Sequence, residues 1–116
     1  MYQNRALKPD VIASQNLALA ALSYTTTFAR RFKLQSIGLS ASVGITETVT
    51  FSLISAKGSN YDRILKRVTL ADEQDVHYAP EGELNLQAGD EIKVECTNAN
   101  TTGTVYATIK ASELTK

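Results

Sequence analysis

Few residues in this sequence could do chemistry. His77 is the single histidine and Cys96 the single cysteine, which removes most ways of assembling a hydrolase triad or a zinc site. His77 stands in the alternating run Asp75-Val76-His77-Tyr78, where every second side chain meets water. Asp72, Glu73 and Asp75 are the densest acidic group. They offer oxygen atoms of the kind calcium takes, but their spacing follows no calcium-loop pattern and suits a polar connection between strands. Glu81, Glu83, Asp90 and Glu91 raise the idea of a glycosidase carboxylate pair. Against it, Asp90 follows Gly89 in a turn, where its side chain serves the local backbone, and the chain has no tryptophan, five tyrosines and three phenylalanines to stack on sugar. Cys96 shares its phase with Ile92 and Val94, the setting of an inert buried thiol rather than a reactive one. Gly38, Gly58, Gly82, Gly89 and Gly103 lack the spacing of a phosphate-binding loop. The sequence therefore reads as non-enzymatic: no catalytic, cofactor-binding or metal-binding residue is assigned.

The elements that position these side chains are strands. From Phe28 onward apolar residues recur every second position, the period of a strand with one buried face. Val49, Phe51 and Leu53 point one way while Thr48, Thr50 and Ser52 point the other. The pattern returns in Ile64-Lys66-Val68-Leu70, in Ile92-Val94-Cys96 and in Val105-Ala107-Ile109. Phe32 and Leu34 fall on one phase and Ile37, Leu39 and Ala41 on the other, which places a bulge near Gln35 and Ser36. Leu84 and Leu86 form a further short strand. Clusters such as Lys57-Gly58-Ser59-Asn60, Ala79-Pro80-Glu81-Gly82 and Asn98 to Gly103 supply turns. Six or seven short strands in 116 residues point to one all-β domain, an antiparallel two-sheet sandwich, with a core of Leu34, Ile37, Leu39, Val49, Phe51, Leu53, Val68, Leu70, Ile92, Val94, Val105 and Ile109.

The first 27 residues fit two patterns. Asp10 is a good N-cap for a helix over Val11 to Leu22, while Leu17, Leu19 and Ala21 alternate as a strand. The preferred reading is an extended arm over residues 1–16 and a sandwich domain over 17–116. Tyr2, Leu7, Val11 and Ile12 are the arm's main apolar side chains and its candidate interface, because so few cannot form a core of their own. Pro9 donates no backbone N–H and biases Lys8 toward extended geometry.

Twelve basic residues balance twelve acidic ones, so no net field draws in nucleic acid or an anionic membrane. Arg30, Arg31 and Lys33, interleaved with Phe28 and Phe32, read as a half-solvated strand. A lone cysteine excludes an intramolecular disulfide. Residues 17–22 are too short an apolar run to span a bilayer and lack the layout of a signal peptide.

Over about Phe28 to Leu114 the chain resembles small proteins encoded in tailed-phage and prophage genomes. The likeness is carried by Phe32-Lys33-Leu34-Gln35-Ser36-Ile37, Glu47-Thr48-Val49-Thr50-Phe51, Asn60-Tyr61-Asp62, Leu86 to Val94, and Cys96 to Tyr106. The resemblance implies a jelly-roll-like structural protein of the phage virion, a capsid decoration or cement protein. It further implies association with itself as a homotrimer and with a major capsid protein or other virion protein, a place on the phage head after synthesis in the host cytoplasm, and no cofactor. The alternative is a carbohydrate- or receptor-binding module of a fibre or spike, for which Tyr61, Tyr78 and Tyr106 are the side chains to follow.

Overall fold

The computed structural model describes residues 11–100 and 102–114. Among the described residues nine strands run in the order β1 (Val11–Asn16), β2 (Leu22–Thr27), β3 (Phe32–Ile45), β4 (Thr48–Ile54), β5 (Arg63–Thr69), β6 (Glu73–Tyr78), β7 (Asn85–Leu86), β8 (Glu91–Cys96) and β9 (Thr104–Glu113), with one 3-10 turn at Ser59–Tyr61. They form two antiparallel sheets, β1-β9-β3-β6 with β7 also on β3, and β2-β8-β4-β5. Apart from the β4–β5 hairpin and the short β7, which joins the same sheet as β6, successive strands alternate between the sheets, which is the strand order of a jelly roll. The expected all-β sandwich is present.

Alternation places the core. Leu34, Ile37, Leu39, Val49, Phe51, Leu53, Leu70, Ile92, Val94, Val105 and Ile109 are all buried between the sheets, and Val68 packs on their margin. The bulge expected near Gln35 lies where the β3–β9 register jumps from Leu34↔Ala111 to Ser36↔Lys110. That extra residue turns both Leu34 and Ile37 inward although they are three apart, and Gln35 spends its amide on Ser112 Oγ at 2.9 Å.

Four readings are corrected. Val11–Asn16 belongs to the sandwich as an edge strand paired along its whole length with β9, rather than to an arm. The strand expected from Leu17 is instead a turn: the Asn16 side chain accepts from the Ala18 N–H and the Asn16 carbonyl from Leu19. Leu17 is therefore buried while Leu19 is 79% exposed, and no helix covers Val11 to Leu22. Residues 1–10, including Tyr2 and Leu7, lie outside the described residues. The alternation from Ile64 breaks, because the β4–β5 register skips Leu65 between Phe51↔Lys66 and Ser52↔Ile64. Leu65 packs on the core and Ile64 is exposed. Phe28 to Arg31 is a connection rather than a strand. Phe28 and Phe32 are both buried with ring centroids 5.2 Å apart, and Arg30 reaches Glu113 at 3.0 Å.

Candidate functional site

The outer face of the β1-β9-β3-β6 sheet is built from two rows of opposed residues. One row runs Ile12, Thr108, Gly38, His77 and the next Ser14, Tyr106, Ser40, Asp75. The alternate row, Ala13, Ala107, Leu39, Val76, turns toward the core. Small residues in the middle leave the large ones standing proud: Ile12 is 71% and Tyr106 50% exposed. Tyr106 divides the face into two shallow troughs. One, of about 350 Å³, lies over Gly38 and Ser40 toward His77 and Asp75, and the other, of about 540 Å³, lies over Ser14 toward Ile12. In these two rows the ionisable side chains are Asp75 and His77, both on the β6 edge, and Lys110 follows Thr108 two residues on along β9.

The opposite outer face differs in chemistry. Its rows are Ser23, Glu95, Thr50, Arg67 and Thr25, Lys93, Ser52, Ile64, so ionised groups occupy the middle of the sheet. Lys93 and Glu95 pair at 3.5 Å, and Arg67 Nε donates to Thr50 Oγ1 at 3.4 Å. Such a surface is well solvated, and pairs of this kind contribute little to stability.

The acidic residues singled out in the sequence are not brought together as a reaction centre. Asp90 is buried, with Oδ1 accepting from the Ala56 N–H at 2.9 Å and Oδ2 from the Gln87 N–H at 2.8 Å. Glu91 faces outward and accepts from Thr27 Oγ1, and Glu83 lies 3.8 Å from Lys33. Asp72, Glu73 and Asp75 are exposed around the β5–β6 turn, where Glu73 accepts from the Ala71 N–H. Among the described residues no three His, Cys, Asp or Glu side chains are grouped to hold a metal ion. His77 is exposed on β6, as its run suggested. Of the three tyrosines, Tyr61 and Tyr106 are exposed and Tyr78 is partly buried on the core margin. Val11 packs against the core, so of the described interface candidates only Ile12 is exposed.

Glu47, which the sequence reading passed over as part of a strand, is the most elaborately bonded side chain among the described residues. It is only 2% exposed. Oε1 accepts from Thr97 Oγ1 at 2.7 Å and the Ala99 N–H at 2.8 Å, and Oε2 from the Asn100 N–H at 2.8 Å. Burial alone would raise its pKa, but these donors overcome that and hold it below the usual 4.5. Its charge and, first, burial push the neighbouring Cys96 thiol up to about 11, which leaves that sulfur protonated and unreactive at neutral pH. Glu47 therefore works as a loop anchor, with no substrate-facing atom left over.

No family model matches the chain, and no curated protein matches it. Solved structures do. One, titled as the crystal structure of Drosophila NLP-core with insight into pentamer formation and histone binding, aligns with a TM-score of 0.46 at 10% identity, over 90% of this chain and 98% of that one. No residue role is carried over from it.

Proposed function

We propose that this protein is a non-enzymatic structural component of a phage virion, of the capsid decoration or cement kind. The observation that carries the reading is the small-residue middle of the outer face of β1-β9-β3-β6, with Asp75 at its edge, from which Ile12 and Tyr106 project. A protein that lies against a subunit surface needs a flat area that sheds water cheaply, and Ser, Thr and Gly backed by a rigid sheet supply one. The motif string from Phe32 to Tyr106 supports the same class. Both ends of the sandwich are locked by buried carboxylates, which suits a load-bearing body.

The test is stoichiometric copurification with phage heads, followed by Tyr106→Asp and Ile12→Asp. Occupancy on heads that falls at least about tenfold with either change supports the reading. Copurification with tails or with neither rejects the head assignment. The trough between Tyr106 and His77 favours one alternative, a carbohydrate- or receptor-binding module. An aromatic ring beside a polar floor of Gly38, Ser40 and Asp75 is the minimum a sugar-binding face requires. Glycan-array binding that Tyr106→Ala abolishes would establish that alternative instead.

A further inference from the structure

The four edge strands of the sandwich are treated differently by the sequence. β5 carries Arg63, Lys66 and Arg67 and a bulge at Leu65, and β6 carries Glu73, Asp75 and His77 with a register break against β3. Charges and bulges of this kind keep a foreign strand from pairing with an exposed edge. Lys66 Nζ also donates to the His77 carbonyl at 2.9 Å, closing that side of the sandwich. β1 (Val-Ile-Ala-Ser-Gln-Asn) and β2 (Leu-Ser-Tyr-Thr-Thr-Thr), on the other side, hold no charged residue, no proline and no register break.

We propose that β1 pairs antiparallel with β1 of a second copy of this chain, joining two β1-β9-β3-β6 sheets across a twofold axis at Ala13. The backbone is set for it. The Leu17 N–H donates to the Gly103 carbonyl at 2.9 Å, so the strict alternation of an antiparallel ladder turns the N–H and C=O of Val11, Ala13 and Gln15 toward β9. Those of Ile12 and Ser14 point to the free edge, which no described residue covers. Inward and outward side chains must match across the new pair, and a dyad at Ala13 opposes Ile12 to Ser14 of the second copy, twice. Each Ile12 then lies beside the second copy's Tyr106 across the small Ser14, filling the trough between them and removing the largest exposed aliphatic group of the strand from water. No like charges face each other, and the chain has no net charge to keep two copies apart. β2 lacks this second feature: it exposes no large apolar residue and backs onto Glu91, Lys93 and Glu95.

The pairing is independent of the virion reading, and it yields a twofold pair where the resemblance implies a threefold one. Sedimentation of the full chain from micromolar to hundred-micromolar concentrations tests it in solution, without particles. The expected result is a dimer weakened at least about tenfold by Ile12→Lys and by Ser14→Pro, with unchanged circular dichroism, while Thr25→Lys on β2 has no effect. Ser14→Pro removes an N–H that β9 does not use. Should that variant misfold, Ile12→Lys alone decides, since its side chain stands in water. Ala13→Cys should form an intermolecular disulfide on mild oxidation, because residues facing each other at a non-bonded site are about 4.5 Å apart and Cys96 is buried. A monomer at all concentrations, a dimer indifferent to Ile12→Lys, or dimerisation that appears only after residues 1–9 are deleted would each overturn the proposal, the last by showing that the chain covers its own edge.

Discussion

The two ends of the sandwich solve the same problem with different reach. β8 runs between them, from Asp90 at its start to Cys96 and Thr97 at its finish, beside Glu47. At each end a buried carboxylate satisfies backbone N–H groups that a loop cannot pair for itself. Asp90 bonds Gln87, three residues away, and Ala56 in the β4–β5 connection, and its own backbone brackets Phe28 through Phe28 N–H to the Asp90 carbonyl at 2.9 Å. The Glu47 side chain bonds only across the molecule, to Thr97, Ala99 and Asn100, fifty or more residues on. Thr97 in turn accepts from the Thr48 N–H, and Asn100 Nδ2 donates to the Thr46 carbonyl. The lesson is that a short-range anchor holds a turn that already forms locally, whereas a long-range anchor creates the order of the loop it grips.

If that contrast is right, removing the long-range anchor costs more. Glu47→Ala strips three charge-assisted bonds and should lower unfolding stability by about 3 kcal/mol, read as a shifted denaturant midpoint with an unchanged slope. Amide exchange should rise from Ala99 to Gly103 before the rest of the chain opens. Asp90→Ala should cost less, about 2 kcal/mol, because the Gly89 turn keeps its Gly89 N–H to Phe28 carbonyl bond at 2.7 Å. Equal losses at the two sites would break the comparison.

The glycines that close the two turns sharpen it. Gly103, at φ +83°, would place an added Cβ 2.9 Å from Val43 Cγ2, and Gly89, at φ +92°, would place one 3.0 Å from Ala56 Cβ. Either change to alanine adds positive-φ strain of about 1–2 kcal/mol. The Gly103→Ala cost should sit at the upper end, since Val43 is held on β3 while Ala56 lies in a connection.

Acid tests the Glu47 end directly. A carboxylate held below its unfolded pKa contributes stability that is fully present above that unfolded value, about 4.5, and lost as pH falls through the folded one. The stability gap between the wild type and Glu47→Gln should therefore be constant from pH 7 to about 5 and close progressively below about 4.5, measured by thermal unfolding across that range. A gap that does not narrow in acid would show that Glu47 acts through shape and not through charge. The smallest effect is expected away from both ends: Tyr106→Ser on the outer face should change stability by less than about 0.5 kcal/mol, so any larger effect of that variant on assembly reports contact and not folding.

Much of the body was legible in the chain, because burial on one face of a strand writes itself at period two. That pattern located the core from Leu34 to Ile109, and the phase change between Leu34 and Ile37 located the bulge at Gln35 before any pairing partner was known. Half of the role of Asp90 was legible as well, since an Asp after Gly in a turn bonds within its own few residues, as Oδ2 does with the Gln87 N–H, whereas the Oδ1 bond to the Ala56 N–H left no local mark. The Ile64 strand misled because a bulge at Leu65 is imposed by pairing with β4 and leaves no local mark. β1 escaped notice because Val-Ile-Ala-Ser-Gln-Asn alternates only weakly and reads equally as tail, and what makes it a strand is the edge that β9 offers along its whole length. Glu47 was invisible for the strongest reason: a glutamate at the head of a strand is ordinarily solvated, and only the return of residues 97–100, half the chain later, brings the donors that keep its charge buried. Side-chain period and turn chemistry are local and survive in the sequence, whereas bulge placement, edge identity and buried-charge pairing depend on which distant backbone arrives, and tertiary structure alone decided those.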